Sequence, residues 1–196
     1  VGAGFDGPSS IALDAMGRIY LTDAYTASIK RMDADGSNVV TLLSGIQNVG
    51  RLTFDNNGKI IFAVQGSTYN SGAIKRMDTD GSNLVTIASG LSEPSEVAVD
   101  AQGRILYTLG NTFSNGEYKI KRMNADGSFV TNVGIGFVNP TGLTFNASGQ
   151  IIVSDPGDQS IKQMDADGTN IITLISGLSY PAGLTVDAQG QVIFTD

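Results

Sequence analysis

Two groups of side chains in this chain are of a type and spacing that could do chemistry. The first is acidic. Aspartates recur in DADG, DTDG and NADG segments beginning at Asp33, Asp78, Asn124 and Asp165, and in DAMG, DNNG, DAQG and NASG segments beginning at Asp14, Asp55, Asp100, Asn146 and Asp187. Together these segments hold eleven of the nineteen acidic residues, an oxygen-rich set that could suit a hard cation such as calcium. DxDG, however, lacks the third carboxylate and the distant bidentate glutamate of a calcium loop. Asp at the first position and Gly at the fourth are what a tight turn requires, so the segments read as turns, and no metal or other cofactor is assigned.

The second group is aromatic and amide. Tyr25 lies in DAYTAS, Tyr69 and Asn70 in VQGSTYNSGA, Phe113, Asn115 and Tyr118 in LGNTFSNGEYK, and Tyr180 just ahead of Pro181. Rings offer an apolar face for stacking, and amides beside them offer donors and acceptors, a combination that suits a sugar or a peptide. These seven residues form the candidate ligand-binding set, with Arg51, Glu93, Glu96 and Asn139 placed in the loops between repeats. No catalytic residue is assigned. The chain has no histidine and no cysteine, which removes histidine-based triads, thiolate nucleophiles, disulfides and metal sites built on either residue.

What must position these residues is a repeat. IKRMDADGSN starts at Ile29, IKRMDTDGSN at Ile74, IKRMNADGSF at Ile120 and IKQMDADGTN at Ile161, in steps of 45, 46 and 41 residues. In the first unit SSIALD, RIYLTD, SIKRMD and NVVTLLSG are short runs bounded by Gly, Asp or Asn, and they read as the four strands A to D of an antiparallel meander. A period of this length in β-type sequence marks an array of small sheets that cover one another's faces. The expected fold is all-β, with four complete repeats of 41–46 residues, approximately 8–45, 46–90, 91–136 and 137–177, plus a half unit at 178–196, in one repeat domain over 1–196.

Strand direction alternates in a meander, so the A to B and C to D turns share one rim and the B to C and D to A loops share the other. The aspartates fall on the tight-turn rim. The candidate aromatics fall on the variable rim, where loops of differing length on a constant scaffold suit recognition. The Lys and Arg pairs of strand C (Lys30 and Arg31, Lys75 and Arg76, Lys121 and Arg122) split between opposite faces and are expected to pair with nearby aspartates or cover neighbouring surfaces, while Met32, Met77, Met123 and Met164 fill the core.

At the level of whole motifs the chain resembles two known families. A proline followed by GLTFNASGQIIVSD from Gly142 looks like an NHL repeat, and IYLTD from Ile19 followed by IKRMDADGSN looks like the YWTD repeat of LDL-receptor-type propellers, with Leu21 in place of the tryptophan. Both resemblances imply a β-propeller of four-stranded antiparallel blades, typically six, used mostly as a recognition platform. Similar propellers include lactonases of the gluconolactonase family, which hold a divalent metal with Glu, Asn and Asp. No matching motif is found here, and Glu93, Glu96 and Glu117 are the only glutamates.

The function expected is that of a non-enzymatic, extracellular or cell-surface binding scaffold with a protein, peptide or glycan ligand, or alternatively that of a structural protein that self-assembles into an oligomer or filament through its unpaired terminal strands. A net charge of −7 and twelve Lys and Arg argue against nucleic acid and anionic membranes, and no apolar run approaches the ~20 residues of a membrane span. Val1 is neither a start methionine nor part of a basic-then-apolar leader, so a processed form or an excised piece is expected. Strands A and B without C and D leave open edges. A longer propeller, closure by self-association with a second copy, and a distorted monomer all fit that arithmetic. Asn146-Ala147-Ser148 is a possible glycosylation sequon on a tight turn.

Overall fold

The computed structural model describes residues 4–110 and 120–196. The chain divides into two compact units, Val1–Val99 and Asp100–Asp196. Among the described residues the architecture is all-β: four four-stranded antiparallel sheets and one two-stranded sheet. The first unit holds β1 (Pro8–Leu13), β2 (Ile19–Asp23), β3 (Ser28–Met32) and β4 (Val40–Ser44), then β5 (Val49–Phe54), β6 (Ile60–Val64), β7 (Gly72–Met77) and β8 (Val85–Leu91), each set a simple meander. The third sheet uses β9 (Pro94–Val99), β10 (Ile105–Leu109), β11 (Ile120–Met123) and β12 (Thr131–Asn132). In the second unit follow β13 (Gly142–Phe145), β14 (Ile151–Asp155), β15 (Ser160–Met164) and β16 (Ile172–Ser176), and the pair β17 (Leu184–Val186) and β18 (Val192–Phe194).

Burial follows strand position. The second strands IYLTD, IIFAV, ILYTL and IIVSD are nearly continuous apolar runs and are buried on both faces. The fourth strands are largely exposed, as in β16, where every residue is exposed. In the first unit the core gathers Tyr20, Ile29, Val49, Leu52, Ile60, Phe62 and Met77, with the Tyr20 and Phe54 rings edge to face at 5.0 Å. Met32, Met77, Met123 and Met164 are all buried, so the recurring methionine is core filler.

Both families of tight turn form as their residue types require. In each A to B turn the leading Asp or Asn carbonyl accepts the glycine amide, and its side chain accepts two more, from Met16 and Arg18 at Asp14, from Asn57 and Lys59 at Asp55, from Gln102 and Arg104 at Asp100, from Ser148 and Gln150 at Asn146, and from Gln189 and Gln191 at Asp187. In the C to D turns, Asp35, Asp80, Asp126 and Asp167 each accept the backbone amide two residues on. The aspartates are thus committed to turn hydrogen bonds.

The glycine of the C to D turn has a second task. Gly81 has a φ of +89°, and a Cβ there would lie 2.3 Å from the Leu42 carbonyl oxygen on the preceding sheet; Gly168, at +90°, would meet the Gly134 nitrogen at 2.4 Å. The turn is pressed onto its neighbour, and only glycine fits. Leu42 is the extra residue of a bulge between the third and fourth strands, where Leu43 pairs with Ile29 and Thr41 with Lys30; the same shift recurs at Ile74/Lys75 and Ile161/Lys162. The third sheet departs from the expected even units, because its fourth strand is only Thr131–Asn132 before Gly134 and Gly136 break it.

Candidate ligand-binding rim

The rim formed by the B to C and D to A loops is built around an ion pair. Asp23 ends β2 and is fully buried, and Lys30 on β3 places its Nζ 2.8 Å from Asp23 Oδ2. The same ammonium donates to the Gly4 carbonyl at 2.7 Å and lies 5.4 Å from the centre of the Phe5 ring, while the Asp6 amide donates to Asp23 Oδ2 at 3.2 Å. Two side chains therefore hold down the segment that leads into β1. Burial acts to raise the pKa of Asp23, but the bonds from Lys30, Asp6 and Thr26 outweigh it and hold the carboxyl below its ordinary range.

The clamp is repeated in the second unit. Asp155 ends β14, accepts the amides of Val138 and Asn139 at 2.9 and 2.7 Å, and faces Lys162 Nζ at 3.5 Å. Lys162 donates to the Gly136 carbonyl at 3.0 Å, lies 5.4 Å from the Phe137 ring centre, and reaches Asp158 Oδ2 at 2.6 Å. Its ammonium holds the Asp158 carboxyl below the usual carboxylate range. Asp196, in the corresponding place after β18, accepts the Tyr180 amide at 2.7 Å.

The second sheet has lost this device. Val64 occupies the register of Asp23 and Asp155, and Lys75, the counterpart of Lys30, turns instead to Thr86 Oγ1 at 2.9 Å. In its place is a cleft of about 350 Å³, walled by Gly45, Ile46, Gln47 and Asn48 on one side and by Val64, Gly66, Ser67 and Ser71 on the other. Its frame is tied by Asn48 Nδ2 donating to the Gly66 carbonyl at 3.0 Å and by the Gln65 amide donating to the Asn48 carbonyl at 3.0 Å. The third sheet carries Leu109 at the end of β10, and the longer loop that follows lies outside the described residues.

Of the candidate residues, Tyr25, Tyr69 and Tyr180 are 81%, 66% and 62% exposed. Tyr25 lays its ring over Gly7, where a Cβ would come within 2.6 Å of it. Asn70, at a φ of +56°, and Tyr69 cap the 65–71 loop that forms one wall of the cleft. No hydrogen bond or ring contact among the described residues joins Tyr25 to Tyr69. Phe113, Asn115 and Tyr118 lie outside the described residues. Arg51 and Glu96, expected in loops, belong to β5 and β9: Glu96 is buried, and Arg51 Nε meets its Oε2 at 3.0 Å. Arg51 falls in the irregularity of the β5–β6 pair between Val49 and Leu52, and the pairing of the two side chains ties β5 to β9. Sequence reasoning singled out neither Asp23 nor Asp155; the signal was there in the Asp that ends IYLTD and IIVSD and is replaced in IIFAV and ILYTL.

Comparison with solved structures defines the class of protein. The chain is 24% identical to a chain in the crystal structure of a nidogen/laminin complex, with a TM-score of 0.84 over 96% of this chain and 72% of that one. Virginiamycin B lyase from Staphylococcus aureus superposes with a TM-score of 0.75 at 19% identity, over 96% of this chain and 62% of that one, and a candidate gluconolactonase with 0.77 at 19% identity, over 97% and 72%. These likenesses give the fold, a β-propeller of four-stranded antiparallel sheets, in agreement with the architecture implied by the NHL and YWTD resemblances. Residues 7–195 match the SMP-30/gluconolactonase/LRE-like region, and the chain belongs to that family. No curated protein matches the chain.

Proposed function

We propose that this chain is a recognition scaffold that binds its ligand on the B to C and D to A loop rim and catalyses no reaction. One observation carries this reading. Sheets of constant construction present a rim whose ties differ from sheet to sheet: a buried Asp and Lys hold the loops at β2 and β14, and an open cleft stands in their place at β6. A ligand, peptide, protein or glycan, meets exposed Tyr25 and Tyr69 on the loops of the first unit, and such a role suits a protein displayed outside the cell.

The family includes enzymes by name, and two observations favour binding over catalysis. A histidine-to-alanine variant of virginiamycin B lyase is described as catalytically inactive, and this chain has no histidine. Among the described residues no group of three or more His, Cys, Asp or Glu side chains is placed to hold a metal ion. Screening against immobilised glycans and peptides tests the proposal. Binding by the wild type that is lost in Tyr25→Ala/Tyr69→Ala and kept in Asp35→Ala/Asp80→Ala is the expected result. Turnover of a lactone, or signals unaffected by the tyrosine substitutions, would refute it.

Self-association is a second reading, favoured by the exposure of Ile11 and Leu13 on β1 at 67% and 62% and of Ile193 on β18 at 54%. Light scattering over a range of concentrations separates the two, because only self-association makes the apparent mass rise with concentration.

A further inference from the structure

We infer that the cleft beside Val64 is a binding site for a neutral saccharide, an inference that rests on the rim-recognition reading and names the ligand class for it. The cleft arises by removal of an internal occupant. Where β2 ends in Asp23 and β14 in Asp155, the carboxylate takes amides from the loop before the first strand, and a lysine caps that loop's carbonyl. In the second sheet the carboxylate is Val64 and the lysine has turned away to Thr86, so the loop at Gly45–Asn48 lies beside open space instead of a charged pair. A void of this kind in a propeller built of repeats is a departure from the chain's own pattern, and departures of that kind mark functional positions.

The lining states the chemistry. It contains no charged side chain, and its polar groups are amides and hydroxyls, Gln47, Asn48, Ser67 and Ser71, of which the Ser71 hydroxyl is already engaged, donating to the Thr68 carbonyl and accepting the Thr68 amide. Asn48 spends its Nδ2 on Gly66, which leaves its Oδ1 as an acceptor, and Gln47 is exposed with both functions of its amide available. Ile46 and Val64, both half-buried and packed against the core cluster, supply an apolar floor. Tyr69 stands exposed on the wall loop. Amide and hydroxyl groups beside an apolar floor match the hydroxyl edge and the C–H face of a sugar ring, and no charged side chain lines the cleft to pair with an ion. The volume is at the small end for ligand clefts, roughly 300–1,000 Å³. It holds one or two sugar rings.

The experiment uses the whole chain with labelled isoleucine and valine methyl groups, titrated with maltose, cellobiose and lactose, and separately with an uncharged tripeptide. The expected result is saturable shifts at the Ile46 and Val64 methyls with at least one of the sugars. Gln47→Ala weakens that binding by at least about tenfold. Val64→Asp, which restores a carboxylate facing Lys75 and the Gln47 amide, closes the cleft and abolishes it, read at the Ile46 methyl. Asp35→Ala, on the opposite rim, leaves binding unchanged. Three outcomes overturn the inference: no sugar shifts these methyls, the tripeptide binds in the cleft instead, or sugar binding survives Val64→Asp and Gln47→Ala. Rim recognition itself is overturned separately, by lactone turnover or by ligand signals that survive the tyrosine substitutions, so the two failures are distinct.

Discussion

The Lys30 ammonium lies 2.8 Å from the Asp23 carboxylate, both residues buried, and the pair binds the Gly4 carbonyl and the Asp6 amide of the segment that precedes the first strand. Such a pair gains little over apolar side chains of the same volume, because both charges lose their water, yet removing one partner leaves the other stranded. Asp23→Ala is therefore expected to cost about 3 kcal/mol or more, and Asp23→Ala/Lys30→Met clearly less. Urea unfolding of the two singles and the double closes the cycle. Additive losses would contradict the clamp.

The same pair sets a response to acid. Asp23 binds its proton more weakly in the folded chain than its ordinary value of 3.8 implies. A carboxyl depressed on folding contributes stability in full above the unfolded value, and that contribution drains away as pH falls through the lower, folded one. The unfolding midpoint of the wild type should fall as the pH drops below about 4, and that of Asp23→Asn should fall less over the same window. Parallel curves would show that Asp23 is not a stabilising titrant.

Alkali should act through a different residue. Burial pushes the Tyr107 phenol up to about 12, from an ordinary 10.0. The folded chain holds this proton more tightly than the unfolded one, so the stability it contributes is complete below pH 10 and is lost between about 10 and 12. Tyrosinate absorbance during a pH titration should show a late phase near pH 12, and Tyr107→Phe should reduce its amplitude, with Tyr20, whose phenol burial also raises, contributing to what remains. A late phase of unchanged amplitude in the variant would assign it elsewhere.

Glycine turns separate conformational strain from steric contact. Gly17 and Gly81 both have positive φ, of +78° and +89°, but a Cβ at Gly17 meets nothing within 4 Å while one at Gly81 meets the Leu42 carbonyl at 2.3 Å. Gly17→Ala should cost roughly 1–2 kcal/mol, the price of the left-handed backbone alone, and Gly81→Ala distinctly more. Thermal unfolding of both variants measures the difference. Equal losses would mean that the third-to-fourth-strand turn is not pressed onto the sheet before it.

The repeats made most of this fold legible. Four strands, both families of turn and the buried methionines follow from patterns that recur at fixed register, because each is enforced locally by alternation, Asp hydrogen bonding and glycine. The recurrent bulge at Leu42 was not legible, since it depends on how the fourth strand meets the next sheet and leaves no residue signature. The short β12 escaped for a similar reason: FVTNVGIG reads as a strand until Gly134 and Gly136 are counted as breaks. Strand order alone assigns Tyr25, Tyr69 and Asn70 to B to C loops and Tyr180 to a D to A loop. The contrast between Asp23 and Val64 could have been read from IYLTD against IIFAV, but its meaning required the position of Lys75.

Hydrogen–deuterium exchange of the chain with and without a sugar or peptide taken from the screen tests the central claim most directly. The account predicts added protection in 45–48 and 65–71 on the loop rim, with the tight turns at 33–36, 78–81 and 165–168 unchanged. Protection confined to those turns would contradict it.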